Sequence, residues 1–362
     1  MATARGTWGY RDRFGDAFGR TYFRRFGPGV VSSVGIGTYL GEPTDAVDDR
    51  YRGAIRLALD SGVNLVDTAV NYRCGRSERV VGEAVRGASV DREEVVVATK
   101  GGFVPFDGSR PDDPARYVRE TFVDTGLVDA SDLARGSHSI APAFLDAMVD
   151  RSLDSLGFDS VDLYYVHNPE TQLAVRSRAD VYDRLGDAFR TLERRRAAGD
   201  VGAYGVATWE AFRVPPDHDA HLGLAEVLAR AEDAAEAVGA EDHGLAAIQL
   251  PFNVSMADAF TVPAHAHGDD TVSALEFAAR EGLDVFASAS LGQGELARDL
   301  PDAVAAELAG ETDAQRALNF ARSAPAVTAA LVGTSSPENV RENVAAGTFD
   351  PLGASAFDAV FR

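Results

Sequence analysis

Four side chains with complementary proton chemistry lie at or just beyond the ends of apolar runs: Asp67, Tyr72, Lys100 and His167. A phenol has a pKa of about 10, so it donates a proton poorly at neutral pH unless a neighbouring ammonium favours the phenolate. A carboxylate would hold that ammonium in place, and an imidazole could orient a carbonyl oxygen or relay a proton. Together they predict protonation of an oxygen that gains charge as hydride arrives at its carbon. Any one of them alone would be better explained as a polar residue that completes a strand end.

Lys100 is the only lysine in a chain with 35 basic residues. Codon usage that favours arginine would explain why lysine is rare. It does not explain why the remaining lysine ends the apolar run that follows Asp67. A flexible ammonium and a planar guanidinium are not interchangeable where a compact charge is needed. We therefore predict that Lys100 pairs with Asp67 at the ends of neighbouring strands.

The apolar pattern along the chain predicts eight strands, each followed by a helix. The strands are expected at 30–40, 64–69, 94–100, 161–167, 204–208, 246–252, 284–290 and 327–333. This alternation indicates a parallel sheet, and eight units that close on themselves form a (β/α)8 TIM barrel. A doubly wound sheet is the competing fold, but no Gly-x-Gly-x-x-Gly follows the first strand. In a barrel, the polar residues at the strand ends would converge on one mouth: Asp67, Lys100, His167, Thr208, Gln249 and Ser290.

Length and apolar content suit one large α/β unit. We expect residues 1–362 to form a single barrel domain, with an irregular lead-in at 1–30 and a loop insertion at 101–140 after the third strand. A loop of that length is usually a functional lid or disordered. Two histidine-rich stretches, His265-Ala-His267-Gly-Asp269-Asp270 and Asp217-His-Asp-Ala-His221, resemble metal-ligand sets. We expect both in loops that fix no geometry, and so we predict no metal site.

The formal net charge of −21 argues against nucleic acid and anionic membranes as partners. No apolar run is long enough to span a membrane, and the first residues lack the apolar core of a signal peptide, so we expect a cytoplasmic protein. Acidic pairs such as Asp48-Asp49 and Glu93-Glu94 are spread along the chain and are expected to face solvent mostly. They suit either a partner-binding surface or a halophilic-type acidic surface, and the near absence of lysine favours the second.

Short motifs surround the four proton-active residues. They are Asp67-Thr-Ala-Val-Asn-Tyr72 with Gly75-Arg-Ser-Glu78 and Val81-Gly-Glu-Ala-Val85, then Val97-Ala-Thr-Lys100, Asp162-Leu-Tyr-Tyr-Val-His167 and Gly35-Ile-Gly-Thr38. In this combination, from about Val30 to Ala346, the chain resembles the aldo-keto reductase family. The resemblance implies a barrel that binds NADP(H) or NAD(H) in extended form and passes hydride between the nicotinamide and an aldehyde, ketone, sugar or alcohol. Tyr72 would be the general acid/base, assisted by Asp67, Lys100 and His167.

The resemblance also implies a set of cofactor contacts. They are Gly37 and Thr38 in the opening turn, Thr208, Gln249 for the carboxamide, Ser288, Leu291, Gly292 and Gly294 for the pyrophosphate, and Gly333, Thr334, Ser335, Glu342 and Asn343 for the adenosine end. Ser288 stands where the family has an aromatic platform, which Trp209 or Phe252 could replace. Arg341 and Arg322 are the cations near the adenosine phosphate. NADP(H) is favoured over NAD(H).

Two other functions compete with the enzyme. A cofactor-binding regulatory subunit could keep the same fold without significant turnover, as channel-associated members of the family do. A phosphate-handling isomerase barrel would have no use for the four proton-active residues. The physiological substrate and the oligomeric state stay open, and a small carbonyl or alcohol molecule is the expected partner.

Overall fold

A computed structural model describes residues 1–361 of the chain. The strands are β1 (Phe23–Phe26), β2 (Gly29–Ser32), β3 (Val34–Gly37), β4 (Leu65–Asp67), β5 (Val96–Gly101), β6 (Val161–His167), β7 (Val201–Ala207), β8 (Leu245–Pro251), β9 (His265–His267), β10 (Asp270–Val272), β11 (Asp284–Ser288) and β12 (Val327–Gly333). Eight of them form a closed parallel barrel in the order β11-β12-β3-β4-β5-β6-β7-β8, and β8 pairs with β11 to complete the circle. The predicted (β/α)8 TIM barrel is confirmed.

The helices are α1 (Ala4–Phe14), α2 (Asp45–Leu59), α3 (Arg76–Gly87), α4 (Pro114–Val118), α5 (Pro142–Leu156), α6 (Arg178–Ala198), α7 (Leu224–Val238), α8 (Asp258–Thr261), α9 (Ala274–Glu281), α10 (Asp302–Ala305), α11 (Asp313–Ser323), α12 (Pro337–Ala345) and α13 (Ala354–Ala359). Local signals account for several boundaries. The Thr44 side chain accepts a hydrogen bond from Val47 N at the start of α2, and Pro142 opens α5. Gly199 ends α6 in the left-handed conformation. None of the helices within 1–361 combines the length and apolar composition needed to cross a membrane.

The inside of the barrel is packed with apolar side chains, so the barrel is a core and not a channel. Leu65, Leu163, Tyr165, Phe286 and Leu331 are among its buried members. The strands are buried on both faces because the helices cover their outer side, which explains their nearly continuous apolar runs. Polar side chains of the barrel strands can therefore reach solvent mainly at the two ends of the barrel.

The expectation of an irregular lead-in at 1–30 is wrong. Helix α1 and the antiparallel hairpin of β1 and β2 occupy this segment and cover the amino-terminal end of the barrel. Phe26 packs edge-on against Phe286 from the barrel interior, with ring centroids 5.6 Å apart. The Tyr10 hydroxyl lies within hydrogen-bond distance of two backbone oxygens, Leu59 O at 2.6 Å and Val63 O at 3.0 Å. The predicted first strand is accordingly divided at Ser33 into β2, which belongs to the hairpin, and β3, which belongs to the barrel.

Segment 102–140 is folded against the barrel. It contains α4, a short π-helical turn at Arg119–Val123 and a 3₁₀ turn at Ala130–Asp132. Phe122 and Val128 pack against Phe144 of α5 in a separate apolar cluster. Asp132 forms ion pairs with Arg176 and with Arg184, the latter at 3.1 Å. The segment is therefore fixed to the polypeptide that follows β6.

The histidine-rich stretch Asp217–His221 lies in turns, as expected, but the stretch from His265 to Asp270 forms a β-hairpin instead of a loop. His265 and His267 lie in β9, and the imidazoles of His221 and His265 are buried and stacked with centroids 5.6 Å apart. Within 1–361, no group of three or more side chains could hold a metal ion.

Two of the acidic residues expected to face solvent are buried. Asp48 pairs with Arg73 and Arg76, and Glu94 pairs with Arg13.

Candidate active site

The carboxyl ends of β4 and β5 bring Asp67 and Lys100 together. Lys100 is fully buried, and its Nζ donates to Asp67 Oδ1 at 2.5 Å and to Thr68 O at 2.9 Å. Burial lowers the pKa of Lys100, and the attraction of Asp67 opposes that shift. The second carboxylate oxygen, Asp67 Oδ2, accepts a hydrogen bond of 2.8 Å from Gln249 Nε2. The expected pair forms, and a glutamine from the opposite side of the barrel completes it.

Tyr72 lies directly above this pair, in the 3₁₀ turn after β4. The Lys100 ammonium is 5.0 Å from the centre of the phenol ring, and the His167 ring is 5.9 Å from it in an edge-on arrangement. Burial raises the pKa of Tyr72 well above 10, and the nearby Asp67 carboxylate raises it further. The lowering of the Tyr72 pKa that was expected from Lys100 is outweighed, mainly by burial and also by the Asp67 carboxylate. Tyr72 is therefore a protonated phenol, the form that can give a proton away.

His167 ends β6 and is neutral. Burial lowers its pKa well below 6.5, and the positive charge of Lys100 adds to the effect. Its ring packs edge-on against Phe103 at a centroid distance of 5.0 Å. Nδ1 of His167 is buried and has no hydrogen-bond partner among the described residues. A neutral imidazole carries one N–H, which can donate a hydrogen bond to a substrate carbonyl oxygen.

A cleft of about 930 Å³ opens over these residues at the carboxyl end of the barrel. Asp67, Tyr72 and His167 line it, while Lys100 lies behind Asp67 outside the lining. Eleven of the thirteen cofactor positions proposed from the sequence also line it: Gly37, Thr38, Thr208, Gln249, Ser288, Leu291, Gly294, Gly333, Thr334, Glu342 and Asn343. One cleft thus joins the proton-active residues at the ends of β4 to β6 with the turns that follow β11 and β12.

Some proposed contacts lie outside this cleft. Gly292 turns toward Leu296, since a Cβ on it would lie 3.5 Å from the leucine Cγ, and Ser335 lies one residue beyond the lining. Arg322 is buried and donates to Ser33 Oγ and Ala346 O, so it is not a free cation. Arg341 is exposed but does not line the cleft. Phe252 is fully buried against Phe320 and cannot act as a platform.

The cleft also contains residues that the sequence motifs do not mark. Arg298, in the turn after β11, is the one basic side chain among its described lining residues apart from His167. Tyr39, Leu40, Phe103 and Trp209 form apolar parts of the wall, and Trp209 remains 42% exposed. The signal for Trp209 was its place after the fifth barrel strand. The sequence gives no comparable signal for Arg298, because the position of the turn that contains it depends on the completed barrel.

Several polar atoms at the mouth have no partner in the described part of the chain. Thr208 Oγ1 and Asn71 Oδ1 are buried, unpaired and belong to residues that line the cleft. Buried polar groups are nearly always hydrogen-bonded, so unpaired ones beside a large cleft fit a polar ligand. The amide-rich, hydroxyl-rich lining suits a polar ligand better than a purely apolar one.

Residues 33–215, half of the chain, match the family model described as the aldo/keto reductase family. The chain belongs to the aldo/keto reductase family. Among related proteins, it is 32% identical over 161 residues to D-threo-aldose 1-dehydrogenase of a Pseudomonas species, which covers 44% of each chain. It is 33% identical over 175 residues to 2,5-diketo-D-gluconic acid reductase B of a Corynebacterium species, covering 48% of this chain and 45% of that protein. The chain thus matches just under half the length of these relatives.

Solved structures of this family share the fold over nearly the whole chain. An aldo/keto reductase from Klebsiella pneumoniae in complex with NADP and acetate superimposes with a TM-score of 0.62 at 22% identity, covering 94% of each chain. The holo form of a Bacillus halodurans aldo-keto reductase gives a TM-score of 0.65 at 20% identity and covers 94% of this chain and 95% of that one. At this identity the likeness concerns the fold alone.

Proposed function

We propose that this aldo-keto reductase transfers hydride between NADP(H) or NAD(H) and a carbonyl or alcohol substrate, with Tyr72 as the general acid/base. The observation that supports this most strongly is the grouping of Tyr72, the Lys100–Asp67 pair and neutral His167 at one end of the cleft. The other end reaches residues after β12 that the family resemblance assigns to adenosine.

In the proposed reduction, the chain binds the carbonyl oxygen between Tyr72 and His167. A bound nicotinamide cofactor would supply the hydride. Tyr72 gives its hydroxyl proton to the oxygen as that oxygen gains negative charge, and the Lys100 ammonium stabilises the phenolate left behind. Asp67 keeps Lys100 charged, and the Gln249 amide keeps Asp67 in place. Oxidation of an alcohol reverses these proton movements.

For the cofactor, we propose NADP(H) in preference to NAD(H). The Klebsiella pneumoniae structure in complex with NADP supports this for the fold. In this chain Arg322 is buried and Arg341 lies outside the cleft, so Arg298 is the described cation best placed to meet a cofactor phosphate. Thr208 and Gln249 would meet the carboxamide. Trp209 would replace the aromatic platform that Ser288 cannot provide.

For the substrate, we propose an uncharged aldehyde, ketone or sugar. Tyr39, Leu40, Phe103 and Trp209 offer apolar contacts near Tyr72, and none of the described lining residues there is lysine or arginine. The net charge of −21 also disfavours anionic substrates. The related D-threo-aldose 1-dehydrogenase acts on a sugar, as its name states.

A panel of neutral and anionic carbonyls and alcohols, measured with each nicotinamide cofactor at low and at molar KCl, tests this function. We expect turnover of neutral carbonyls, with NADPH better than NADH. Tight cofactor binding without turnover of any substrate would favour the regulatory subunit instead. Absence of cofactor binding under all conditions would contradict both functions.

A further inference from the structure

A second histidine, His138, lies directly behind His167. It comes from the end of segment 102–140 and is fully buried. Its Nε2 is 2.7 Å from the backbone oxygen of His167, and its Nδ1 is 2.9 Å from Gln172 Nε2. Gln172, which follows β6, also bonds to the backbone oxygen of His138 at 2.9 Å. Neither His138 nor Gln172 lines the cleft.

These contacts determine where the protons are. A backbone oxygen only accepts, so the Gln172 group that bonds to His138 O must be the amide N–H₂. That same group donates to His138 Nδ1, which leaves the imidazole proton on Nε2. The proton on Nε2 is donated to His167 O. Burial lowers the pKa of His138 to about 4. A second proton on the ring would also face the Gln172 N–H.

The hydrogen bond from His138 Nε2 to His167 O lies just beyond the last backbone pair between β5 and β6. Pairing of β5 with β6 ends at Gly101 and Val166, so the next carbonyl, that of His167, has no partner on β5. His138 provides it through a side chain. The fit is tight, because a Cβ on Gly102 would lie 2.6 Å from His167 O and 3.1 Å from His138 Nε2. The Phe103 ring packs edge-on against both imidazoles, with its centroid 4.8 Å from that of His138 and 5.0 Å from that of His167, and it lines the cleft.

We propose that His138 and Gln172 form a clamp that positions His167 and Phe103, and so connects segment 102–140 to the reacting carbonyl. The proposal rests on the proposed function for its effect on turnover. The hydrogen bonds of the clamp and the positions of His167 and Phe103 can be tested without turnover. The backbone oxygen of Asp132 lies 3.4 Å from Gln172 Nε2, and the Asp132 carboxylate pairs with Arg176 and Arg184.

The test compares His138→Leu, which removes the N–H donor, with His138→Gln, which keeps an amide donor near the position of Nε2. Misplacing a substrate-contacting group by a fraction of an ångström to an ångström should lower kcat by about tenfold to a hundredfold in the leucine variant. Cofactor affinity should change by less than about twofold, and the glutamine variant should recover most of kcat. Equal kcat in the leucine variant and the wild type would overturn the proposed positioning role of His138 in turnover.

His265→Leu is a matched control. His265 is also fully buried, donates from Nε2 to Phe212 O at 3.0 Å and accepts at Nδ1 from Leu224 N at 3.2 Å, but it lies away from the cleft. The His265→Leu substitution should lower the melting temperature without lowering kcat. If His138→Leu does not fold, Gln172→Met replaces it, since that variant leaves His138 in place and removes the donor that selects its tautomer.

Nitrogen-15 NMR of the histidine side chains tests the clamp without turnover. We expect His138 as the Nε2–H tautomer with a slowly exchanging proton. We also expect His167 resonances that shift or broaden in His138→Leu, recover in His138→Gln and stay unchanged in His265→Leu. An Nδ1–H tautomer of His138, or His167 signals identical in all variants, would overturn the clamp. A wild-type protein that shows these signals but reduces no carbonyl would contradict the proposed function alone.

Discussion

Asn64 at the closed end of the barrel and Thr208 at the open end are both buried, but their side chains differ in hydrogen bonding. At the closed amino-terminal end, the Asn64 side chain is fully buried and every one of its polar atoms has a partner. Its Oδ1 accepts from Ser32 N at 2.8 Å, and its Nδ2 donates to Val30 O and Glu94 O, both at 3.1 Å. At the open end, Thr208 Oγ1 and His167 Nδ1 are buried and unpaired among the described residues.

This difference separates stability from function. Satisfied polar groups join the hairpin of β1 and β2 to the barrel and contribute to the free energy of unfolding. Unpaired buried groups cost free energy until a ligand bonds to them. Without a ligand, the open end of the barrel is therefore less stable than it would be if these groups had partners. Substitutions at the closed end should therefore change stability, and substitutions at the mouth should change binding and catalysis.

The largest expected effect is at Tyr72. Tyr72→Phe removes the hydroxyl and leaves the ring between Tyr39 and His167, so kcat should fall by about a thousandfold or more. Cofactor affinity and the melting temperature should stay close to those of the wild type. Steady-state kinetics and fluorescence titration check this, and full activity of the variant would remove Tyr72 from the mechanism.

A second, smaller loss of activity is expected for Lys100→Arg. The wider guanidinium does not fit in the fully buried space where the ammonium bonds to Asp67 Oδ1 and Thr68 O. We expect kcat to fall about a hundredfold, with a lowered melting temperature. Arg52→Lys on the exposed side of α2 is the control for a simple exchange of cations. Wild-type rates in Lys100→Arg would mean that the lone lysine reflects codon usage.

At the closed end, Asn64→Leu should have the opposite character. It leaves three buried backbone groups without partners and should lower the free energy of unfolding by about 3 kcal/mol, measured by urea denaturation. Because Asn64 is at the far end of the barrel from the cleft, kcat of the folded fraction should not change. A loss of kcat with unchanged stability would break the distinction between the two ends.

The smallest effect is expected for Thr208→Val, which replaces an unpaired buried hydroxyl with a methyl group. Stability without cofactor should rise by up to about 1 kcal/mol, while the cofactor Kd should increase about tenfold. Thermal unfolding with and without cofactor measures both quantities. A fall in stability without cofactor would show that the hydroxyl has a structural partner.

Much of the barrel was predictable because each strand is a short apolar run followed by a polar strand end. The strands at 161–167 and 327–333 were predicted to the residue, since both end where the chain changes from apolar to polar residues. The segment 1–30 was not predicted, because its helix and hairpin have weak periodicity and are held by contacts with residues far along the chain. Tyr10, for example, bonds to backbone atoms around residue 60.

The site shows the same division. The pair of Asp67 and Lys100 was predicted because both residues end neighbouring strands. The bond from Gln249 to Asp67 crosses 182 positions of the chain, and the contact of His138 with His167 starts from a loop with no motif. Such contacts depend on the closed barrel and on how segment 102–140 folds over it. The raised pKa of Tyr72 was missed because it depends mainly on burial, which a motif does not reveal.

Transfer of deuterium most directly tests whether this cleft passes hydride from a nicotinamide to a carbonyl. The wild-type protein is incubated with a neutral aldehyde and NADPH that carries deuterium at both C4 positions, in parallel with Tyr72→Phe. We predict that the wild-type alcohol product contains the label on the former carbonyl carbon, and that Tyr72→Phe binds the cofactor but forms almost no labelled product. An unlabelled alcohol from the wild type, or equal labelling by both proteins, would contradict this account of the site.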